Sequence, residues 1–282
     1  MFTTDSLTAP DGAAIGRLTT GTGPGLVIVH GGFESATSHG QLAEALAETC
    51  TVHLPDRRGR ASSGPIPDGF GLGGETADLA ALLRDTGAKA VFGVSTGGII
   101  ALEAALALPS VERVAVYEPP LAVGGSIDWS FADRFDREIA DGRLASALAT
   151  ATRGTRMFGG GMPRWALAAV ARLMLAAGDR RPDGTRVTLR ELTPTFRQDI
   201  ALVREAADRI DRYAALDVPV LLLGGAGSPG YLKTALDALE RVLPHPERVE
   251  FDRLNHGGAA NRNRGGRPEL IAARLRRFLT GP

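Results

Sequence analysis

Ser95 stands at the centre of Gly93-Val94-Ser95-Thr96-Gly97, a G-x-S-x-G pentapeptide. A serine hydroxyl is a poor nucleophile until a base takes its proton. That base is most often a histidine. His256 fits the task, because it follows the last predicted strand in a glycine-bounded loop, Leu254-Asn255-His256-Gly257-Gly258. The other histidines fit less well. His30 opens a glycine-rich loop, His39 lies near a helix start, His53 falls inside a strand and His245 sits between two prolines. A serine and a histidine brought together at one place can open an acyl bond by nucleophilic attack.

Such a pair needs elements to hold it. Residues 90–94 form a short apolar run of strand type, and 97–108 are apolar with good helix formers. The turn between them must be sharp, its central residue strained, and its neighbours small. Ser95 would then stand above a helix amino end, where backbone N–H groups favour a developing negative charge. This is the strand-turn-helix context of a nucleophile elbow.

Asp11-Gly12 marks a hairpin, and further strands are predicted over 26–29, 50–54, 111–117, 218–223 and 248–251. Helices are predicted over 41–48, 74–86, 232–242 and 268–279. Strands alternating with helices imply an α/β fold with a mostly parallel central sheet and helices on both faces. Parallel crossovers bring the carboxyl ends of the strands to one edge, where ligands bind. His30, Asp56, Ser95 and Glu118 all fall at such ends.

Between 121 and 213 no strand is evident. Helices are predicted over 131–139, 144–152, 165–177 and 195–212. This stretch reads as a helical cap inserted in a core formed by 1–120 and 214–282. Trp129, Phe158 and Trp165, with His30 from the core, are the candidate pocket residues, and Phe131 and Phe196 are further aromatics of the same segment.

The chain has 282 residues and a formal net charge of zero, which argues against a surface for nucleic acid or another polyanion. Its first residues lack the basic and apolar regions of an export signal. No apolar run approaches the ~20 residues of a membrane helix. Cys50, the only cysteine, reads as a buried strand thiol. These features point to a cytoplasmic protein with a small-molecule substrate and no nucleic-acid or membrane partner. H-E-x-x-H, cysteine-cluster, P-loop and dinucleotide patterns are absent, so no cofactor and no metal are expected.

His30-Gly31-Gly32, Asp56-Arg57-Arg58-Gly59-Arg60-Ala61-Ser62-Ser63, the Ser95 elbow and His256 together resemble the α/β-hydrolase superfamily over essentially the whole chain. The resemblance implies a capped, cofactor-independent serine hydrolase with a triad in the chain order Ser, acid, His. Ala61 departs from the pattern, standing where a second glycine is usual. Arg58 is read as bracing its loop through Asp56, with Arg57 and Arg60 in solvent.

The acid is the larger departure. Its usual place, after the strand that follows the cap, is Gly224-Gly-Ala-Gly-Ser-Pro-Gly230, which has no carboxylate. Glu118 occupies a position that some members of the superfamily use instead. Asp252 and Asp237 are the alternatives. The oxyanion hole implied by the resemblance would use backbone N–H groups of Thr96 and of Gly32 or Phe33. Cyclisation, acyl transfer and ligand binding without turnover stay open as rivals to hydrolysis.

Overall fold

The computed structural model describes residues 1–157, 161–179 and 187–281. β1 (Thr3–Thr8) and β2 (Ala14–Thr20) form the hairpin around Asp11-Gly12, and β2 pairs antiparallel with β4 (Thr51–Pro55). β3 (Gly25–Val29), β5 (Ala90–Val94), β6 (Arg113–Tyr117), β7 (Val220–Gly225) and β8 (Pro246–Phe251) continue in parallel with β4. The sheet has eight strands in the order β1-β2-β4-β3-β5-β6-β7-β8.

Successive side chains of each strand point to opposite faces, and both faces are covered. Val27, Val29, Val91, Val114 and Leu222 face α2 (Leu72–Thr86) and α3 (Thr96–Ala107). Leu26, Ile28, Phe92, Ala115 and Leu221 face the other way, toward α1 (Gly40–Leu46). This double burial is why the inner strands read as unbroken apolar runs rather than alternating ones.

From β3 the chain steps outward to β4, then returns across β3 to β5 and proceeds the other way. The connections leaving β3 and β5 therefore diverge, and a crevice opens beyond their carboxyl ends. The His30 loop and the Ser95 turn flank that crevice.

Among the described residues, every helix of α type between β6 and β7 belongs to a set of four: α4 (Ala132–Ala140), α5 (Leu144–Gly154), α6 (Arg164–Asp179) and α7 (Leu189–Glu205). Three lie close to expectation, but α7 starts earlier than the predicted 195 and ends before 212. Its start is a capping box, in which the Thr188 hydroxyl accepts from the Glu191 N–H and the Glu191 carboxylate accepts from the Thr188 N–H. Pro194 lies inside this helix, against the usual rule that proline marks an end.

The sheet layer closes with α8 (Gly230–Val242) and α9 (Pro268–Thr280). No helix of the described residues is long and apolar enough to cross a membrane.

Candidate active site

The turn from β5 to α3 has the strain its sequence implies. Ser95 sits at φ 54°, ψ −125°, a region that L-residues rarely adopt. Its N–H donates to the Tyr117 carbonyl at 2.9 Å, tying the turn to β6. A Cβ on Gly93 would collide with Gly97, and one on Gly97 would collide with the Val29 carbonyl. Gly97→Ala is therefore expected to lower stability by about 1–3 kcal/mol through overpacking against rigid backbone. Gly73→Ala, at an open helical position, should raise it by about 0.5–1 kcal/mol. Urea midpoints of the two variants on either side of the parent value check this; a Gly97→Ala midpoint at or above the parent contradicts it.

His256 arrives from the loop after β8. The Tyr117 hydroxyl donates to the Asn255 carbonyl at 2.6 Å and so anchors that loop to β6. A Cβ on Gly258 would strike the same hydroxyl, which accounts for glycine there. His256 Nε2 lies 3.1 Å from Ser95 Oγ, and Nδ1 lies 2.8 Å from Glu118 Oε2. A carboxylate only accepts hydrogen bonds. The proton therefore sits on Nδ1, and Nε2 is left as an acceptor for the serine hydroxyl.

Glu118 is 1% exposed, and its second oxygen accepts from the Gly225 N–H at 2.7 Å. The β7 end thus contributes a backbone donor in place of a carboxylate. Gly224 leaves room for the arrangement, since a Cβ there would lie 3.3 Å from Glu118 Oε1. Glu118 also has a positive φ, 48°. The alternatives lie elsewhere: Asp252 is exposed after β8, and Asp237 faces Arg248 at 3.5 Å from an exposed position on α8.

The loop after β3 lies against the serine, because a Cβ on Gly31 would come within 2.7 Å of Ser95 Cβ. Phe33 has φ 56°, so this loop too is held in the left-handed region. Among the described residues, neither the Phe33 N–H nor the Thr96 N–H has a hydrogen-bond partner. Unpaired backbone donors directly after the serine and in the loop packed on it are the kind of groups that suit a developing oxyanion. Glu34 and His39 stabilise the loop from behind. The Glu34 carboxylate accepts from the Gly31 N–H at 2.9 Å and meets His39 Nε2 at 3.1 Å, while His39 Nδ1 reaches the Ala259 carbonyl at 3.0 Å. Burial alone would raise the Glu34 pKa, but His39 and Arg264 hold it well below the ordinary range.

A model of the alpha/beta hydrolase family matches residues 26–274. The chain belongs to the alpha/beta hydrolase family. It is 28% identical over 273 residues to a pimeloyl-(acyl-carrier protein) methyl ester esterase of Stenotrophomonas maltophilia (strain K279a), covering 92% of this chain and 94% of that protein. An alpha/beta hydrolase from Sphaerobacter thermophilus DSM 20745 superposes with a TM-score of 0.78 at 28% identity, over 98% of this chain and 100% of that one. A hydrolase from Pseudomonas aeruginosa PA01 shares the fold with a TM-score of 0.71 at 19% identity, over 99% and 98% of the two chains.

Two of the expected pocket residues, His30 and Trp165, differ from expectation in their exposure. His30 is 1% exposed, with Nδ1 at 2.9 Å from the Gly31 carbonyl and Nε2 accepting from the Arg57 N–H at 3.1 Å. It braces two loops and does not line a pocket. Trp165 is 75% exposed on α6. Trp129 packs on the same apolar cluster as Phe33 and Phe196, under the Arg204 guanidinium, which lies 5.3 Å from its ring centre. Phe158 lies outside the described residues. Phe196 is stacked on Phe33 of the loop beside Ser95, with ring centres 4.3 Å apart.

Burial pushes the His30 pKa well below its ordinary 6.5, and the Arg60 and Arg57 charges push the same way. The folded hydrolase therefore leaves His30 neutral where the unfolded chain binds a proton. Stability from this source is present above about pH 6.5 and declines as pH falls below it. His53, lowered first by burial and then by Arg17, adds to the same slope. The urea midpoint is expected to drop between pH 7.5 and 5.5, and to drop less in His30→Gln; an equal drop in the variant contradicts this.

The arginines also differ from expectation. Arg58 pairs with Asp78 at 2.7 Å and with Asp11 at 2.7 Å, not with Asp56. Asp56 instead accepts from the Ala36 N–H and the Ser62 hydroxyl. Arg57 and Arg60 are buried, in ion pairs with Glu75 and Asp199. Ala61 takes the left-handed φ of 44° that the usual glycine would supply.

Proposed function

We propose that this alpha/beta hydrolase is a cofactor-independent serine hydrolase that cleaves an ester, thioester, lactone or related acyl bond of a partly apolar small molecule. The observation that supports it most is the unbroken hydrogen-bond chain from Glu118 through His256 to Ser95. Ser95 Oγ attacks the carbonyl carbon while His256 Nε2 takes its proton. The Thr96 and Phe33 N–H groups receive the oxyanion. His256 then gives the proton to the leaving oxygen or sulfur, and an acyl-enzyme forms on Ser95. Water, deprotonated by the same imidazole, attacks that ester and restores the serine. Glu118 keeps the tautomer and stabilises the imidazolium.

Residues 121–213 act as the cap over this site, with Phe196 presenting an apolar wall beside Phe33. The name of the esterase relative, which specifies a methyl ester, puts simple carboxylic esters first among the substrate classes. A cytoplasmic location is part of the same reading. The test is turnover of chromogenic esters of graded acyl length, with and without an added alcohol acceptor. Release of free acid in both conditions supports hydrolysis. Acid release that gives way to acyl-alcohol product at low acceptor concentration would reassign the enzyme to acyl transfer.

A further inference from the structure

The buried charges around Arg57 lead away from the serine and into α7. Asp199, on that helix, is 1% exposed and carries three short hydrogen bonds. Its Oδ1 accepts from Arg57 Nη1 at 2.7 Å and from the Thr96 hydroxyl at 2.7 Å, and its Oδ2 accepts from Arg60 Nη2 at 2.7 Å. Arg57 is held in turn by Glu75, with Nη2 to Oε1 at 2.6 Å. Two cations and two carboxylates balance in a site closed to water. Burial opposes ionisation of Asp199, but the Arg60 and Arg57 charges keep its pKa below the ordinary value.

Thr96 is the residue directly after the nucleophile. Its hydroxyl is fixed from two sides, donating to Asp199 and accepting from Arg57 Nη1 at 3.3 Å. Three residues before Asp199, and so on the same face of α7, Phe196 stacks on Phe33. Gly32 lies between these two side chains: a Cβ there would come within 2.9 Å of the Phe196 ring and 3.2 Å of Asp199 Oδ2. One face of one helix thus touches both loops that carry the free N–H donors.

We infer that Asp199 is a positioning residue which, with Phe196, sets the spacing of the oxyanion hole from the inserted helical segment. The inference rests on the serine-hydrolase reading above. Asp199 touches no reacting atom. It holds Thr96 so that the backbone N–H of that residue meets the oxygen, while Phe196 holds Phe33 opposite. The helical segment is then part of the catalytic apparatus as well as a cover, and its seating on the core is coupled to rate.

Thr96→Val is the deciding variant, because it removes the hydrogen bonds that tie this hydroxyl to Asp199 and Arg57 and leaves every buried charge paired. Loss of a whole oxyanion donor costs about 10²–10³ in rate, so a donor left in place but unfixed is expected to lower kcat by about 10-fold or more. KM should stay within about 3-fold of the parent, as for an interaction made only in the transition state. A trifluoromethyl ketone, which forms a tetrahedral adduct on the serine, should lose affinity by the same factor as kcat/KM. Thr96→Ser keeps the hydroxyl and should restore the parent values. A folded Thr96→Val protein with unchanged kcat and unchanged ketone affinity overturns the inference, whatever Asp199→Asn does to folding. If the parent itself neither turns over esters nor binds the ketone, the serine-hydrolase reading fails first and this one with it.

Discussion

His256→Ala is expected to lower kcat by about 10⁴–10⁶-fold, with KM changed only a few-fold, and Ser95→Ala to do the same. The hydroxyl 3.1 Å from Nε2 has no other base within hydrogen-bond reach among the described residues. Without the imidazole the serine must attack as a neutral alcohol, and the leaving group must depart unprotonated. The two side chains act as one unit, so the double variant should be hardly slower than either single one. Ser95→Ala should melt close to the parent, whereas His256→Ala should melt lower, because it leaves the buried Glu118 carboxylate without its ring donor. Steady-state kinetics on a chromogenic ester check the expectation. A His256→Ala enzyme within about 10-fold of the parent contradicts it, since general-base help is ordinarily worth about 10²–10⁴ on its own.

Glu118→Gln is expected to lower kcat by about 10³–10⁴-fold with KM little changed. The reason lies in the second oxygen of Glu118. It accepts from the Gly225 N–H, so the glutamine carbonyl must take that place and the amide NH₂ must face His256. An NH₂ only donates, and Nδ1 must then become the acceptor. The ring proton moves to Nε2, which can no longer take the serine proton. The variant keeps shape and burial but holds the wrong tautomer. Asp252→Asn and Asp237→Asn should leave kcat within about 2-fold of the parent, because surface changes away from the site have small effects. Undiminished turnover in Glu118→Gln, or collapse of turnover in either Asp variant, would reassign the acid.

Much of this geometry is legible in the residue string. Gly93, Ser95 and Gly97 announce a turn too tight for side chains, and the collisions that a Cβ would cause at both glycines explain the spacing. A strand end at β7 with no carboxylate directs attention to Glu118, beside which Gly224 leaves room and to which Gly225 donates its N–H. The sheet follows from apolar runs buried on both faces.

What stays hidden depends on distance along the chain. Arg57 and Asp199 are 142 residues apart, and no local pattern says that they meet. Arg57 and Arg60 read as solvated until partners from α2 and α7 neutralise them. The first turns of α7 are hard to read because Pro194 stands inside the helix, where a capping box at Thr188 outweighs one lost hydrogen bond. Glu34 offered a weak signal, a carboxylate directly after His30-Gly-Gly-Phe33, but its work on the Gly31 N–H requires the loop geometry. Aromatic content alone does not separate Phe196, which meets Phe33, from Trp165, which faces solvent.

The most direct measurement is covalent labelling of the folded protein with a fluorophosphonate, followed by mass spectrometry of its peptides. A single adduct on the peptide containing Ser95, abolished in Ser95→Ala and strongly slowed in His256→Ala, is the predicted result. An unlabelled folded protein, or an adduct on another residue such as Ser228, contradicts the assignment of Ser95 as the nucleophile.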